Sequence, residues 1–164
     1  MSRNLLSRAV AALDVLPAPL ARRATTLLFN SRVRFAGTGG LRFEELSADR
    51  AIVVIRNRRK VQNHIGGVHA AAMALLAETA TGAVFGMNVP DPALPLLKSM
   101  RVDYLKRAQG ALRATATLDV AARDRIASEE RGDLVVPVRV TDESGEEPIR
   151  CELRWAWVPK KRDT

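Results

Sequence analysis

In the stretch NHIGGVHAAAMALLAETATGAVFG, Asn63 to Gly86, an amide, two imidazoles and two glycines precede an alanine-rich run whose only charged residue is Glu78. These residue types suit acyl-transfer chemistry. A carboxylate can take a proton from water or attack an electrophilic carbon itself, and an amide can orient the water or the carbonyl. The first N–H groups of a helix have no partner within it and lie at the positive end of its dipole. A helix starting near Ala70 would therefore offer a donor to a developing oxyanion. Gly66 and Gly67 allow the tight turn that such a start needs. Taken alone, His64 and His69 are ordinary loop or core histidines, and Asn63 is an ordinary capping residue.

Glu78 follows Ala70 by eight residues, and helical spacing puts it on one face with Ala71, Ala74, Leu75, Thr81 and Gly82. Those neighbours are mostly small, which leaves room for a ligand. A solvent-facing Glu would more often have Lys or Arg four residues away, where this chain has Ala74 and Gly82. If the carboxyl is partly buried beside an apolar group, its pKa should rise toward a range useful to a base. The plainer alternative is an exposed Glu on an alanine-rich helix.

Apolar residues recur at helical spacing from Arg3 to about Leu13 and from Leu20 to about Phe29, with Pro17 and Pro19 between the two. LRFEELSADRAIVVIRN reads as strand, turn and strand, and Val68 to Phe85 as the longest, central helix. VPDPALP reads as a loop. LLKSMRVDYLKRA, the alternating run from Leu112 to Val120, LVVPVRVTD and IRCELRWAWVP then read as four strands. The short turns AQG, ERGD and ESGEEP predict an antiparallel meander laid over the helix, an α+β architecture. Residues 1–32 form a helical extension and residues 33–164 the main domain.

The chain has 164 residues, 47% hydrophobic and 27% charged, which fits one globular domain with its own core. No apolar run reaches the length of a membrane span, and Arg8 and Asp14 interrupt what could pass for an N-terminal signal. The lone cysteine, Cys151, offers no internal disulfide and no metal cluster, which points to the reducing cytoplasm. It alternates in phase with Leu153, Trp155 and Trp157, a buried strand position. The net charge of +8 raises the question of nucleic acid. Apart from RNRRK, Arg56 to Lys60, the basic residues are scattered, and the few aromatics form no stacking platform. Nucleic acid and membrane are not expected partners; an acidic small ligand or protein is.

The order of elements, with N-H-I-G-G-V-H-A-A-A-x-x-x-L-A-E at the strand-to-helix junction and RVDYLKRAQGALRATA two elements later, resembles the hotdog-fold acyl-thioester superfamily. It is most similar to the PaaI-like thioesterases and their relatives of unassigned function. The likeness covers roughly residues 35 to 158 and says nothing of the leading helices. It implies an antiparallel sheet wrapped around the central helix, a homodimer or homotetramer, and acyl-CoA or acyl carrier protein thioesters as substrates. No metal or other cofactor is implied, coenzyme A being part of the substrate.

By position, the resemblance makes Asn63 the residue that holds the thioester or the water. His69 becomes the histidine before the helix, Ala70 the donor of the polarising N–H, and Glu78 the general base or nucleophile. Asn63 and the N–H would come from one subunit and the acid from the other. Ala70 and Ala71 stand where such proteins usually carry Gly-Gly, which favours a small or slim acyl group. Gly67 and His64 fall at the substrate, while Arg56, Arg58, Arg101 and Lys106 are candidates for coenzyme A phosphates or an acidic carrier surface. Thr79, Thr81 and Ser99 match no position of the motif. Two alternatives are a hydroxyacyl dehydratase of the same fold, pairing His64 with Glu78, and a non-catalytic acyl-thioester-binding protein.

Overall fold

The computed structural model describes residues 4–160. Three helices lead the chain: α1 (Leu5–Leu13), α2 (Ala18–Arg32) and α3 (Arg34–Gly39). The expected start of α1 at Arg3 lies outside the described residues. A hairpin follows, β1 (Arg42–Leu46) and β2 (Arg50–Ile55), and then the central helix α4 (Ala70–Gly86). The remainder is β3 (Ala93–Tyr104), β4 (Leu112–Thr117), α5 (Val120–Ser128), β5 (Gly132–Val136), β6 (Val138–Asp142) and β7 (Ile149–Pro159).

Helix α4 is apolar around most of its circumference, and such a helix must be enclosed. Leu76, Ala77, Ala80, Thr81, Ala83, Val84 and Phe85 are all fully shielded from solvent. The sheet supplies the cover. Ala51, Val53 and Ile55 of β2, Ala114 and Ala116 of β4, and Leu153, Trp155 and Trp157 of β7 alternate onto the buried face. Alanines on both sides let sheet and helix approach closely, while Phe85 fills the wider space between the two indoles, with ring centroids 5.8 and 6.2 Å away.

The strands are antiparallel throughout but do not form a meander. Their order is β1-β2-β4-β6 in one sheet and β3-β7-β5 in the other. Strands β5 and β6 are one run bent at Pro137, whose first half pairs with β7 and whose second half pairs with β4, so the two sheets continue into each other around α4. A proline cannot donate to a ladder, and here it marks the corner.

The AQG turn therefore joins strands that are not neighbours, and ERGD follows a helix that periodicity did not suggest. The alternating run expected to reach Val120 stops at Thr117. Asp119 turns the chain by accepting the Ala122 N–H at 2.7 Å, and α5 buries Ile126. ESGEEP closes no hairpin either: it turns tightly, with the Asp142 N–H donating to Glu146 O at 2.9 Å, and sends the chain from β6 in one sheet to β7 in the other. The ALP of the expected loop belongs to β3, an edge strand, where Pro95 is tolerated.

The leading helices pack on this frame. Phe29 of α2 lies against Phe43 of β1 with ring centroids 4.7 Å apart. No helix among the described residues is long and apolar enough to cross a membrane.

Candidate functional site

Asn63 to Ala70 form a tightly bonded corner. The Asn63 side-chain oxygen accepts the N–H groups of Ile65 at 3.1 Å and Gly67 at 3.0 Å, and Asn63 N–H donates to Gly67 O at 2.8 Å. Gly66 sits at φ +76°, a conformation that side chains disfavour. Two flanking residues pin this loop from outside: Asn57 donates to Gly66 O at 3.0 Å and Arg107 to Ile65 O at 2.9 Å.

His69 is the N-cap of α4, its Nδ1 accepting the Ala71 N–H at 3.0 Å. That bond explains why α4 begins at Ala70 rather than at Val68. Ala72 and Met73 donate to His69 O at 2.9 and 3.0 Å. Ala70 N–H has no acceptor among the described residues. The one donor left unpartnered at the helix start, on half-buried Ala70, is thus the group that could polarise a carbonyl. At the same point the Tyr104 hydroxyl donates to Ala70 O at 3.0 Å, tying the end of β3 to the start of α4.

Glu78 stands elsewhere. A rise of ~1.5 Å per residue places it ~12 Å along α4 from Ala70, beyond the reach of any substrate atom that Ala70 could hold in the same chain. It is half-buried and lines a groove of about 720 Å³ with Gly82, Gly86, Trp155 and residues of α1, α2 and β3. No cation pairs with it among the described residues. Desolvation pushes its pKa above the usual carboxyl range, opposed in part by the Thr79 hydroxyl at 3.5 Å.

The basic candidates are dispersed. Arg56 and Arg58 are exposed; Arg101 pairs with Asp103 at 3.1 Å and Lys106 with Glu146. His64 is exposed in the loop and shares neither a bond nor the groove with Glu78. Cys151 is half-buried on β7, and burial, with Asp103 nearby, raises its thiol pKa to about 11, so a thiolate nucleophile is disfavoured there. Among the described residues no group of three or more His, Cys, Asp or Glu side chains could hold a metal ion.

A family model described as "Domain of unknown function (DUF4442)" matches residues 21–158. The chain belongs to the DUF4442 family. No curated protein matches it. Among solved structures, a Pseudomonas aeruginosa protein of unknown function, called a probable thioesterase, is 26% identical and superposes with a TM-score of 0.73. The match covers 88% of this chain and 97% of that one. A Haemophilus influenzae thioesterase is 12% identical with a TM-score of 0.62, covering 79% and 85% of the two chains. A mutant Staphylococcus aureus thioesterase is 16% identical with a TM-score of 0.63, covering 77% and 99%. This DUF4442 chain therefore has the hotdog fold of the thioesterase structures, as the junction motif implied.

Within one DUF4442 chain the motif residues fall into two groups: Asn63, His64, Gly67, His69 and Ala70 at the helix start, and Glu78 in its groove. Sequence reading missed Tyr104, Asn57 and Arg107, which hold the first group, and Asn4, which closes the second. Tyr104 lies inside the RVDYLKRAQG motif, but a bond to a main-chain carbonyl 34 residues away leaves no mark on local spacing.

Proposed function

We propose that this protein is an acyl-thioester hydrolase whose site is completed by a second copy of the chain. The observation that carries the reading is Glu78: a half-buried carboxylate of raised pKa, with no ion-pair partner among the described residues, in a mostly apolar groove whose lining also includes Arg32 and Lys160. Keeping such a group costs stability, and general-base chemistry is a reason to keep it.

The second copy is argued from β3. This 12-residue strand pairs with β7 on one side only. Its unpaired edge carries Leu94, Leu96, Leu97, Met100 and Tyr104, each more than a third exposed. Long apolar edges invite another strand. If two copies of β3 pair antiparallel about their midpoints, Tyr104 of one comes opposite Ala93 of the other. Tyr104 holds the Ala70 end of α4, and Ala93 to Pro95 line the Glu78 groove. The same pairing thus carries the free Ala70 N–H of one copy toward Glu78 of the other, bridging the distance that separates them in a single chain.

In the assembled site the thioester carbonyl accepts the Ala70 N–H, and the Asn63 amide nitrogen, unused in the loop, helps hold the carbonyl or the water. As general base, Glu78 takes a proton from the attacking water and passes it to the departing thiolate of coenzyme A or of an acyl carrier protein as the C–S bond breaks. As nucleophile, it expels the thiolate to form an acyl–Glu78 anhydride, and water then hydrolyses this to the free acid, restores the carboxylate and supplies the thiol proton. The protein supplies all of these groups from its own chains.

The test is subunit complementation with an acyl-CoA panel and a thiol reagent. Glu78→Gln and Asn63→Ala homodimers should each lose ~100-fold or more in kcat. Mixed after dissociation and reassociation, they should recover about a quarter of wild-type activity, because half of the dimers are mixed and each of these has one intact site. No thiol release from any acyl-CoA by the wild-type protein would end the proposal. Failure of the mixture to recover activity would end its two-subunit form.

A further inference from the structure

The groove beside Glu78 is built in part by the helices that precede the hotdog domain, from Asn4, Leu5, Leu6 and Ala9 at α1 and Leu28 and Phe29 of α2. Helix α1 is latched in place: the Asn4 amide nitrogen donates to Gly86 O at 2.7 Å and Val89 O at 2.6 Å, and Leu5 N–H donates to Asp91 Oδ1 at 2.9 Å. On the opposite side, α4 presents Glu78, Gly82 and Gly86, four residues apart, along the groove. A Cβ at Gly82 would lie 2.7 Å from the Trp155 ring, so this glycine lets the indole pack directly on α4 and form one wall of the groove. At Gly86 a Cβ would meet Leu6 at an ordinary contact distance of 3.6 Å, and the missing side chain leaves that end of the groove wider.

The chemistry of the channel changes along its length. Glu78 and Thr79 stand at one end, and Leu6, Ala9 and Leu28 form apolar walls. At the other end the Asn4 side chain is fully engaged, its Oδ1 by the Ser7 N–H at 2.8 Å and its amide nitrogen by the two carbonyls.

We propose that α1 and α2 form the acyl chamber of the site, and that it takes the straight acyl chain of a medium-chain thioester. This rests on the thioesterase reading above. Glu78 and Gly86 are eight residues apart, or ~12 Å along the helix. An extended chain advances ~1.2 Å per bond, as the ~3.6 Å span of a three-bond residue shows, so the channel matches about eight to ten carbons. The carbonyl lies at Glu78 and the methyl end beneath Asn4 and Leu6. The alanines at the start of α4 agree with a slim chain.

The experiment compares decanoyl-, butyryl- and benzoyl-CoA on the full-length protein, wild type and with the graded pair Ala9→Leu and Ala9→Phe. The wild type should prefer decanoyl-CoA. The ratio of kcat/KM for decanoyl over butyryl should fall about threefold in the first variant and at least tenfold in the second, as the side chains occupy the space of buried methylenes. A wild-type preference for butyryl or benzoyl, or a ratio unmoved in both variants, would overturn the chamber while leaving the hydrolase reading intact. If the wild type hydrolyses none of the three, the hydrolase reading falls and binding decides the chamber. Saturable quenching of tryptophan fluorescence by decanoyl-CoA, weakened in order by Leu and Phe at position 9, would uphold it; no saturable change would overturn it.

Discussion

Asn4 carries more of the N-terminal architecture than any other side chain of α1, and replacing it with alanine should be costly. The residue is only 5% exposed. Its Oδ1 caps α1 through the Ser7 N–H at 2.8 Å, and loss of a helix cap costs ~1 kcal/mol. Its amide nitrogen ties α1 to the end of α4 through Gly86 O and Val89 O, and two such bonds contribute ~1 kcal/mol each. Asn4→Ala should therefore lower stability by ~3 kcal/mol, or about 6–12 °C in Tm for a chain of this size. Asn4→Ser separates the contributions: serine caps well but cannot reach both carbonyls, so it should recover ~1 kcal/mol and no more. Urea denaturation with linear extrapolation measures all three proteins. A loss below ~0.5 kcal/mol for Asn4→Ala, within the range of an ordinary surface change, would refute the claim that this amide fastens α1 to α4.

Three further outcomes are expected. Because burial raises the Glu78 pKa, the folded chain binds that proton more tightly than the unfolded one. The stability it contributes is full below the usual carboxyl range and is lost as pH rises through the folded pKa. Glu78→Gln should therefore gain most in denaturation free energy, relative to wild type, above that pKa, and a gain equal at pH 4 and pH 8 would contradict this. Leu97→Arg with Met100→Arg puts charge on the free edge of β3 and should yield a monomer by analytical ultracentrifugation, with hydrolysis lost. A dimer that persists would place the interface elsewhere. Gly66→Ala forces a side chain into a left-handed conformation with open space around it, a backbone cost of ~1–2 kcal/mol, while Gly67→Ala should cost little in denaturation experiments because its φ is not positive.

What the sequence made legible was whatever acts within a few residues. The central helix announced itself through composition and length, the β1–β2 hairpin through its β-branched run, and Glu78 through its solitude among small side chains. Strand order was hidden, because short turns suggest neighbours and nothing local says that β3 crosses to pair with β7. Helix α5 was hidden because VAARDRIAS buries little more than Ile126 and shows no strong apolar stripe. The contribution of α1 and α2 to the groove was hidden too. It depends on Asn4 meeting carbonyls 82 and 85 residues away, which no periodicity encodes.

The bonding at the start of α4 also separates a helix built for stability from one that keeps a donor in reserve. Asn63 spends its oxygen on Ile65 and Gly67, and His69 spends its Nδ1 on Ala71 and its carbonyl on Ala72 and Met73. Side chains and carbonyls thus satisfy the N–H groups on either side of Ala70 and leave its own free. Ordinary capping leaves several donors to water at a helix start; here the unsatisfied group stands between bonded neighbours, beside an Asn63 amide nitrogen that the loop does not use. In this arrangement Asn63 and His69 matter through the backbone they shape as much as through any group they offer a substrate. His69→Asn, which preserves a capping acceptor, should then retain far more hydrolysis than His69→Leu at equal folding. Equal loss in the two variants would assign the imidazole a direct part in the chemistry instead.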